Sequence, residues 1–355
     1  MIPGMGAVNS KQLIAYCGSA EAVFKQKRSH LLKIPGIGFK TAASILNASV
    51  FQRVHLELEF CLENEVEIIP YNVKAFPKRL LHCHDSPSVL YKKGKLDLNS
   101  SKVLAIVGTR KASKIGLDFV QEFVEEIAPF NIQIVSGMAL GIDARAHQAA
   151  LAYDTDTIGV LGHSLSTIYP HKNTNLAKEM LQKGSALLSE YPSGTEIIPA
   201  NFPMRNRIVA GLSDATIVVE SASKGGALIT ANLAHSYNRD VFAVPGRYSD
   251  KYARGCNRLI KDLKANLIES AEDVLNQMAW CDQDNKLRKV QRSLALDLSE
   301  EEKRVVESLR QAEFAEMDQL LQLTNMKPGK LSNILLELEL RGVVYALPGN
   351  RFSLN

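Results

Sequence analysis

The chain has 355 residues, room for two or three domains, and its 46% hydrophobic content with mean hydropathy −0.07 describes an ordinary globular protein. A formal net charge of +4 permits a nucleic-acid partner without requiring one. Five scattered cysteines (Cys17, Cys61, Cys83, Cys256, Cys281) form no CxxC pair, and neither a signal-peptide core nor a bilayer-length apolar run is present; metal and disulfide scaffolds and membrane insertion are set aside, and a cytoplasmic location is expected.

The first segment carries an internal repeat. Ile2-Pro3-Gly4-Met5-Gly6 and Ile34-Pro35-Gly36-Ile37-Gly38 share an IPGxG pattern, each followed by a helix-like run, Ser10 to Tyr16 and Lys40 to Leu46. A Gly-x-Gly between helices makes a tight turn with two outward amides, the phosphate-contacting element of helix-hairpin-helix modules. Simple packing of the two hairpins accounts for the repeat equally well. The chain opens inside the first hairpin, so a truncated or late start is expected.

From Val103 to Met278 strands alternate with helices. Near-continuous apolar runs occur at Val103–Val107, Ile132–Val135, Thr157–Leu161, Ala186–Ser189, Ala215–Val219, Val241–Val244 and Asn266–Ile268, with helical patterns such as Gly116–Ala128, Ile142–Tyr153 and Ala227–Tyr237 between them. This predicts a parallel sheet covered on both faces, with ligands at the carboxyl ends of its strands. Gly108-Thr109-Arg110 follows the first strand, but the second and third glycines of G-x-G-x-x-G are missing. Ser136 stands where a ribose-binding carboxylate would end the second strand. A nicotinamide cofactor is not expected, nor any other.

The candidate site residues all fall at strand ends or helix starts. Arg110 stands where a phosphate would rest, and Gly137 allows close approach after the second strand. Asp143 is read as a helix cap or a clamp on Arg110, and His147 as a packing residue without a metal-spaced partner. Lys172 and Asn173 open a helix after GHSLSTIYPHKN. Arg205, Asn206 and Arg207 sit at the mouth of an apolar helix, with Phe202 beside them as a base-stacking ring or a core side chain. Lys224, Gly225 and Gly226 open a further helix that carries Thr230, where exposed amides and the helix dipole favour phosphate. Glu190 is the one carboxylate considered for catalysis, and it has no partner for acid–base work.

A polar run from Asp282 to Gln291 reads as a linker. Beyond it, Ser299 caps a helix, Met317–Leu323 and Lys327–Arg341 make two more, and Val343–Leu347 with Arg351–Leu354 forms a hairpin, the grammar of a winged helix. Lys327 and Lys330 are offset by Glu337 and Glu339, so the third helix is not the basic reader expected of a DNA-binding winged helix.

GTRKASKIG, SGMALGIDARAH, YPHKN, SEYPSG, NFPMRNRIVAGLSDATIVVE, GGALITA, VFAVPG and GCNRLI occur in the order found in the DprA/Smf DNA-processing proteins, and the chain resembles that family along its whole length. The resemblance implies an α/β fold: an N-terminal helix-hairpin-helix (SAM-like) domain over residues 1–72, a Rossmann-like domain over 73–280, a linker over 281–296 and a winged helix over 297–355. It implies a non-enzymatic protein that binds single-stranded DNA, protects it and loads the RecA recombinase in natural transformation. The family's ligand positions fall on Arg110, Gly137, Lys172, Asn173, Phe202, Arg205, Arg207 and the Lys-Gly-Gly loop. Its dimer surface falls on Leu259, Ile260 and Leu267, so a homodimer is expected.

Two departures stand out. Gly225-Gly226-Ala227 replaces the family's Ser-Gly-Ser or Ser-Gly-Thr, removing two hydroxyl donors, and Leu263-Lys264-Ala265 replaces a Gly-Ala. The competing enzyme reading is a Rossmann-like nucleotide N-glycosidase, which needs a PGGxGT loop with a following glutamate; neither is present. A scaffold regulated by a free nucleotide is the third reading. The central segment is expected to bind by itself when Met1–Tyr71 or Leu298–Asn355 is removed.

Overall fold

The structure is a computed structural model that describes residues 2, 5–47, 49–281, 299–310, 315–340, 343–347 and 351–354. It divides into two compact units, Met1–Trp280 and Cys281–Asn355. The linker expectation lies outside the described residues, as do Pro3 and Gly4 of the first IPGxG copy and the turn of the C-terminal hairpin.

The first unit opens with helices α1 (Ala7–Cys17), α2 (Ala20–Phe24), α3 (Arg28–Leu31), α4 (Phe39–Ile45) and α5 (Ser49–Glu63). Gly6 and Gly38 are the N-caps of α1 and α4, in extended backbone conformations. Gly36 adopts φ +78°, and a side chain there would crowd Asn9 of α1. The second repeat thus packs its hairpin against α1, and Leu13, Leu31, Ile34, Ile37 and Ile45 form a small core between them.

The chain then builds one large sheet: β1 (Val66–Pro70), α6 (Lys78–Leu81), β2 (Val89–Lys93), β3 (Val103–Val107), α7 (Lys114–Ile127), β4 (Gln133–Ser136), α8 (Ile142–Ala152), β5 (Thr157–Leu161), α9 (Thr174–Gln182), β6 (Ala186–Ser189), α10 (Asn201–Leu212), β7 (Ala215–Val218), α11 (Gly226–Ser236), β8 (Asp240–Ala243), α12 (Arg254–Lys261), β9 (Asn266–Leu267) and α13 (Ala271–Gln277). Its order is β1-β2-β6-β5-β4-β3-β7-β8-β9. The run from β6 to β9 is parallel, while β1 and β2 pair antiparallel at one edge. All residues of β3, β4, β5, β6 and β7 are buried, because helices cover both faces. The chain winds outward from β3 through β4, β5 and β6, then returns to β7 on the other side. The connections leaving β3 and β7 therefore part at their carboxyl ends and open a crevice there.

The edge strand β1 corrects the expected domain division. Residues 66–70 belong to the central sheet, and a cut after Tyr71 would strip that strand from β2. The helical segment is also braced to the sheet. Glu57 on α5, only 2% exposed, accepts hydrogen bonds from the Ser193 amide and hydroxyl (2.9 and 2.6 Å) and pairs with Arg53 at 3.1 Å. Ser193 lies in the loop that leads from β6 into α10, so this contact supports one wall of the crevice.

The second unit has helices α14 (Glu300–Arg310), α15 (Met317–Thr324) and α16 (Pro328–Leu340), and an antiparallel sheet of β10 (Ala315–Glu316), β12 (Arg351–Leu354) and β11 (Val344–Leu347), in that order. Ser299 and Glu302 cap α14 reciprocally, each side chain taking the other's amide. On α16 the exposed positions include Ser332, Asn333, Leu336, Glu337 and Glu339, while Lys330 pairs with Glu301. This is a winged helix whose third helix, among its described residues, presents no basic face.

Removing the buried Glu57 carboxylate leaves the Ser193 amide and Arg53 without it, a cost of about 1–3 kcal/mol. Glu57→Ala should lower the melting temperature by roughly 2–10 °C in a domain of this size. A thermal melt matching the unsubstituted protein would show that α5 does not brace the crevice wall.

Candidate functional site

A cleft of about 510 Å³ lies in the crevice, lined from the ends of β3, β4 and β7 and from the starts of α10 and α11. Gly108, Arg110, Gly137, Phe202, Arg205 and Thr230 all face it. Tyr169 and Tyr252, two residues that sequence alone did not assign to the site, join them from loops. Both helix starts thus meet at one edge of the sheet, as strand order requires.

The floor is made of the loop after β4. Gly137 has no room for a side chain: a Cβ would lie 2.7 Å from both the Arg205 guanidinium and the Asp143 carboxylate. Gly141, at φ +81°, brings the start of α8 against the Thr109 and Arg110 backbone, and the Ile142 amide donates to the Thr109 carbonyl at 3.2 Å. Asn173, 6% exposed, donates to the carbonyls of Met138 and Ala139 at 2.8 and 3.2 Å. Its side-chain amide holds the floor.

Arg205 is similarly committed. It is 4% exposed and donates through Nη1 to the carbonyls of Gly137 and Val160, at the ends of β4 and β5, while Nε reaches Asn206 at 3.3 Å. Burial pulls its pKa down to about 10, opposed by the Asp143 charge and aided by Arg110, so the guanidinium stays protonated at neutral pH. Burial likewise pushes the Asp143 carboxyl up, against the pull of Arg205, the Ala139 and Gly108 amides and Arg110. His147 lies beneath the floor, paired with Thr157 at 2.7 Å and driven down to about 3 by burial first and Arg205 second, so it is neutral.

Arg207 is not part of the cleft. Its guanidinium pairs with Glu190 and donates to the Asp85 carbonyl at 2.7 Å, on the far side of α10. Successive residues of a helix point about 100° apart, so Arg205 and Arg207 face different neighbours. The same ion pair engages the Glu190 carboxylate. Lys172 and Lys224 are exposed and lie outside the cleft lining, Lys224 on a neighbouring groove between α11 and α12. Leu259 is 5% exposed and belongs to the core, with Ile260 packed beside it, whereas Leu267 is 46% exposed.

The accessible chemistry is aromatic and cationic. The Phe202 ring is half-buried, 5.7 Å from the Tyr169 ring, and the exposed Arg110 guanidinium carbon stands 6.0 Å from its centre. Gly162 makes room for that ring, since a Cβ there would meet it at 2.9 Å. The N-terminus of α7, which in dinucleotide-binding folds takes a pyrophosphate, is filled from within. Glu220 accepts from the Ser113 amide at 2.9 Å and from its hydroxyl, and its carboxylate crowds Gly116. Among the described residues no cluster of three His, Cys, Asp or Glu could hold a metal ion, and no helix is long and apolar enough to cross a membrane.

Comparison with known proteins gives a consistent picture. Residues 67–279 match the family profile of DNA recombination-mediator protein A, 291–350 the DprA winged helix domain, and 1–49 a SAM-like helix-hairpin-helix tandem. The chain is 33% identical over 336 residues to Protein Smf of Escherichia coli, covering 91% of this chain and 87% of that protein. It is similar to the X-ray structure of DNA processing protein A from Streptococcus pneumoniae, with TM-score 0.68 and 33% identity over 77% of this chain and 93% of that one. It is also similar to DNA processing protein A from Helicobacter pylori, whose structure addresses a single-stranded DNA binding mode, with TM-score 0.55 and 30% identity over 61% and 96%.

Leaving a buried carbonyl without its donor costs about 1–3 kcal/mol, and Arg205 satisfies two of them. Arg205→Ala removes both carbonyl bonds, so its melting temperature should fall by roughly 4–20 °C. Arg110→Ala, at an exposed position, should melt as the unsubstituted protein does. Equal melting temperatures for all three would contradict the assignment of Arg205 to the floor.

Proposed function

This chain belongs to the DprA/Smf family of DNA recombination mediators, and we propose that its cleft binds single-stranded DNA, protecting the strand and delivering it to the RecA recombinase in natural transformation. The observation that carries the reading is the half-buried Phe202 ring with Arg110 above it at the mouth of the cleft. An unpaired base presents a face for such a ring, while a paired base in a duplex does not. The Arg110 guanidinium then meets the phosphate beside that base. The Helicobacter relative's recorded single-stranded DNA binding supports the same assignment.

A non-enzymatic role agrees with how the carboxylates are used. Glu190 is ion-paired to Arg207, Asp143 is buried against Arg205, and Glu220 accepts from Ser113, the cap of α7. None is paired with a nucleophile in the described cleft. The protein acts in the cytoplasm as a homodimer, with the surface at the end of α12 as the contact. Because Leu259 is buried, that contact falls to Ile260, Leu267 and Leu263, which is 90% exposed.

With Arg205 and Arg207 engaged internally, Arg110, Lys172 and Lys224 remain as exposed phosphate contacts. Three contacts at about −0.7 each give a slope of about −2 for log affinity against log salt on single strands. Titrations across salt concentrations should show this slope, with weaker binding to blunt duplex. A flat response or equal affinity for duplex would contradict the reading. Release of free base from AMP or a cytokinin ribotide would favour the glycosidase instead.

A further inference from the structure

The cleft is too small for a polymer. About 510 Å³ falls within the range of small-ligand pockets, roughly 300–1,000 Å³, so a strand seated on Phe202 must continue across the surface outside it. The chain between β8 and α12 forms a surface suited to that continuation. Tyr252 lines the cleft, and the five residues before it, 247–251, are all exposed.

This loop is held at both ends. The Asn257 side chain exchanges two hydrogen bonds with the Gly246 backbone (3.1 and 2.8 Å), and the Ser221 amide donates to the Tyr252 carbonyl at 2.6 Å. Between the anchors the Asp250 amide closes a turn onto the Arg247 carbonyl at 2.9 Å. Gly255 lets α12 nestle against the Ser221 and Ala222 carbonyls, where a Cβ would lie 2.6 and 2.7 Å away. The tip is therefore presented by a fixed frame that shares Ser221 and Ala222 with the cleft wall.

What the frame presents is a ring among cations. Tyr248 is 90% exposed and buries almost none of its apolar area in the protein. Arg247, Lys251 and Arg254 are exposed around it against the single carboxylate Asp250, and Lys251 Nζ stands 5.8 Å from the Tyr252 ring centre. A lone exposed aromatic is ordinary. Two tyrosines interleaved with three cations, on a loop continuous with a stacking cleft, match the pattern of a single-strand track.

We propose that residues 247–254 form a second subsite for the same single strand. A base outside the cleft stacks on Tyr248, and Arg247, Lys251 and Arg254 hold the flanking phosphates. This rests on the single-strand reading of the cleft, and it assigns that reading a length dependence. Short oligonucleotides fill the cleft alone, while longer ones engage both sites.

The test is fluorescence anisotropy of the full chain with labelled oligothymidylates of about 4 and about 20 nucleotides, the lower bound and beyond the upper bound of site sizes in single-strand-binding folds. Tyr248→Ala should weaken the longer strand about tenfold and leave the shorter one unchanged. Tyr248→Phe should bind both as the unsubstituted protein does. Lys251→Ala should shallow the salt slope by about 0.7 on the longer strand only. Unchanged binding of both lengths by Tyr248→Ala, or an equal loss on both, would overturn the subsite. Arg110→Ala serves as the control and should weaken both lengths. If the unsubstituted protein binds neither strand, the cleft reading fails, and the subsite with it.

Discussion

The buried guanidinium of Arg205 holds the site together. It is anchored on α10 and donates to carbonyls at the ends of β4 and β5, with the buried Asp143 of α8 opposite. Four elements around the cleft thus meet at one charge. Because the guanidinium fork is rigid and planar, it fixes their relative positions as a lysine would not. Phe202 lies one helical turn before Arg205 on α10, so the placement of the stacking ring follows from the same anchor. Gly137 is a consequence as well, since a larger residue would displace the guanidinium.

That arrangement separates two jobs that a list of basic residues would merge. Arg205 and Asn173 build the floor and Arg207 is ion-paired on the far side of α10, whereas Arg110, Lys172 and Lys224 are exposed and are the proposed phosphate contacts. Glu220 sharpens the division further. By accepting from the amide and hydroxyl of Ser113, the cap of α7, it puts a carboxylate where dinucleotide enzymes take a pyrophosphate. Exposed side chains tolerate the varied backbone of an unpaired strand better than a fitted pyrophosphate cradle does.

Much of the fold is legible because parallel strands are covered on both faces. Runs such as VLAIV and TIGVL are apolar throughout, and β3, β5 and β6 end where those runs end. The antiparallel edge pair escapes this reading. VEIIP follows directly on the long helix α5, and VLYKK ends in lysines that suit an edge strand, so neither stands out as a buried run. The location of the site is legible too, since strand order forces the helix starts together. The roles within it are not, because sequence shows a charge without its partner. Arg207 looks equal to Arg205 until Glu190 and Asp85 are seen beside it, and the hold of Asn173 on the Met138 carbonyl shows only in the structure. Tyr169 stands inside the YPHKN motif, and Tyr252 in a run where tyrosines alternate with lysine and arginine. That alternation is the signal in the sequence for Tyr252 in the cleft wall and for the proposed subsite beside it.

The central claim is that an unpaired base enters the cleft between Tyr169, Phe202 and Arg110. It is tested most directly by irradiating the full chain bound to a 5-iodouracil-substituted single strand and mapping the crosslinked peptides by mass spectrometry. The account predicts crosslinks on the peptides that carry Tyr169 and Phe202. Crosslinks confined to the winged helix, residues 299–354, would contradict it.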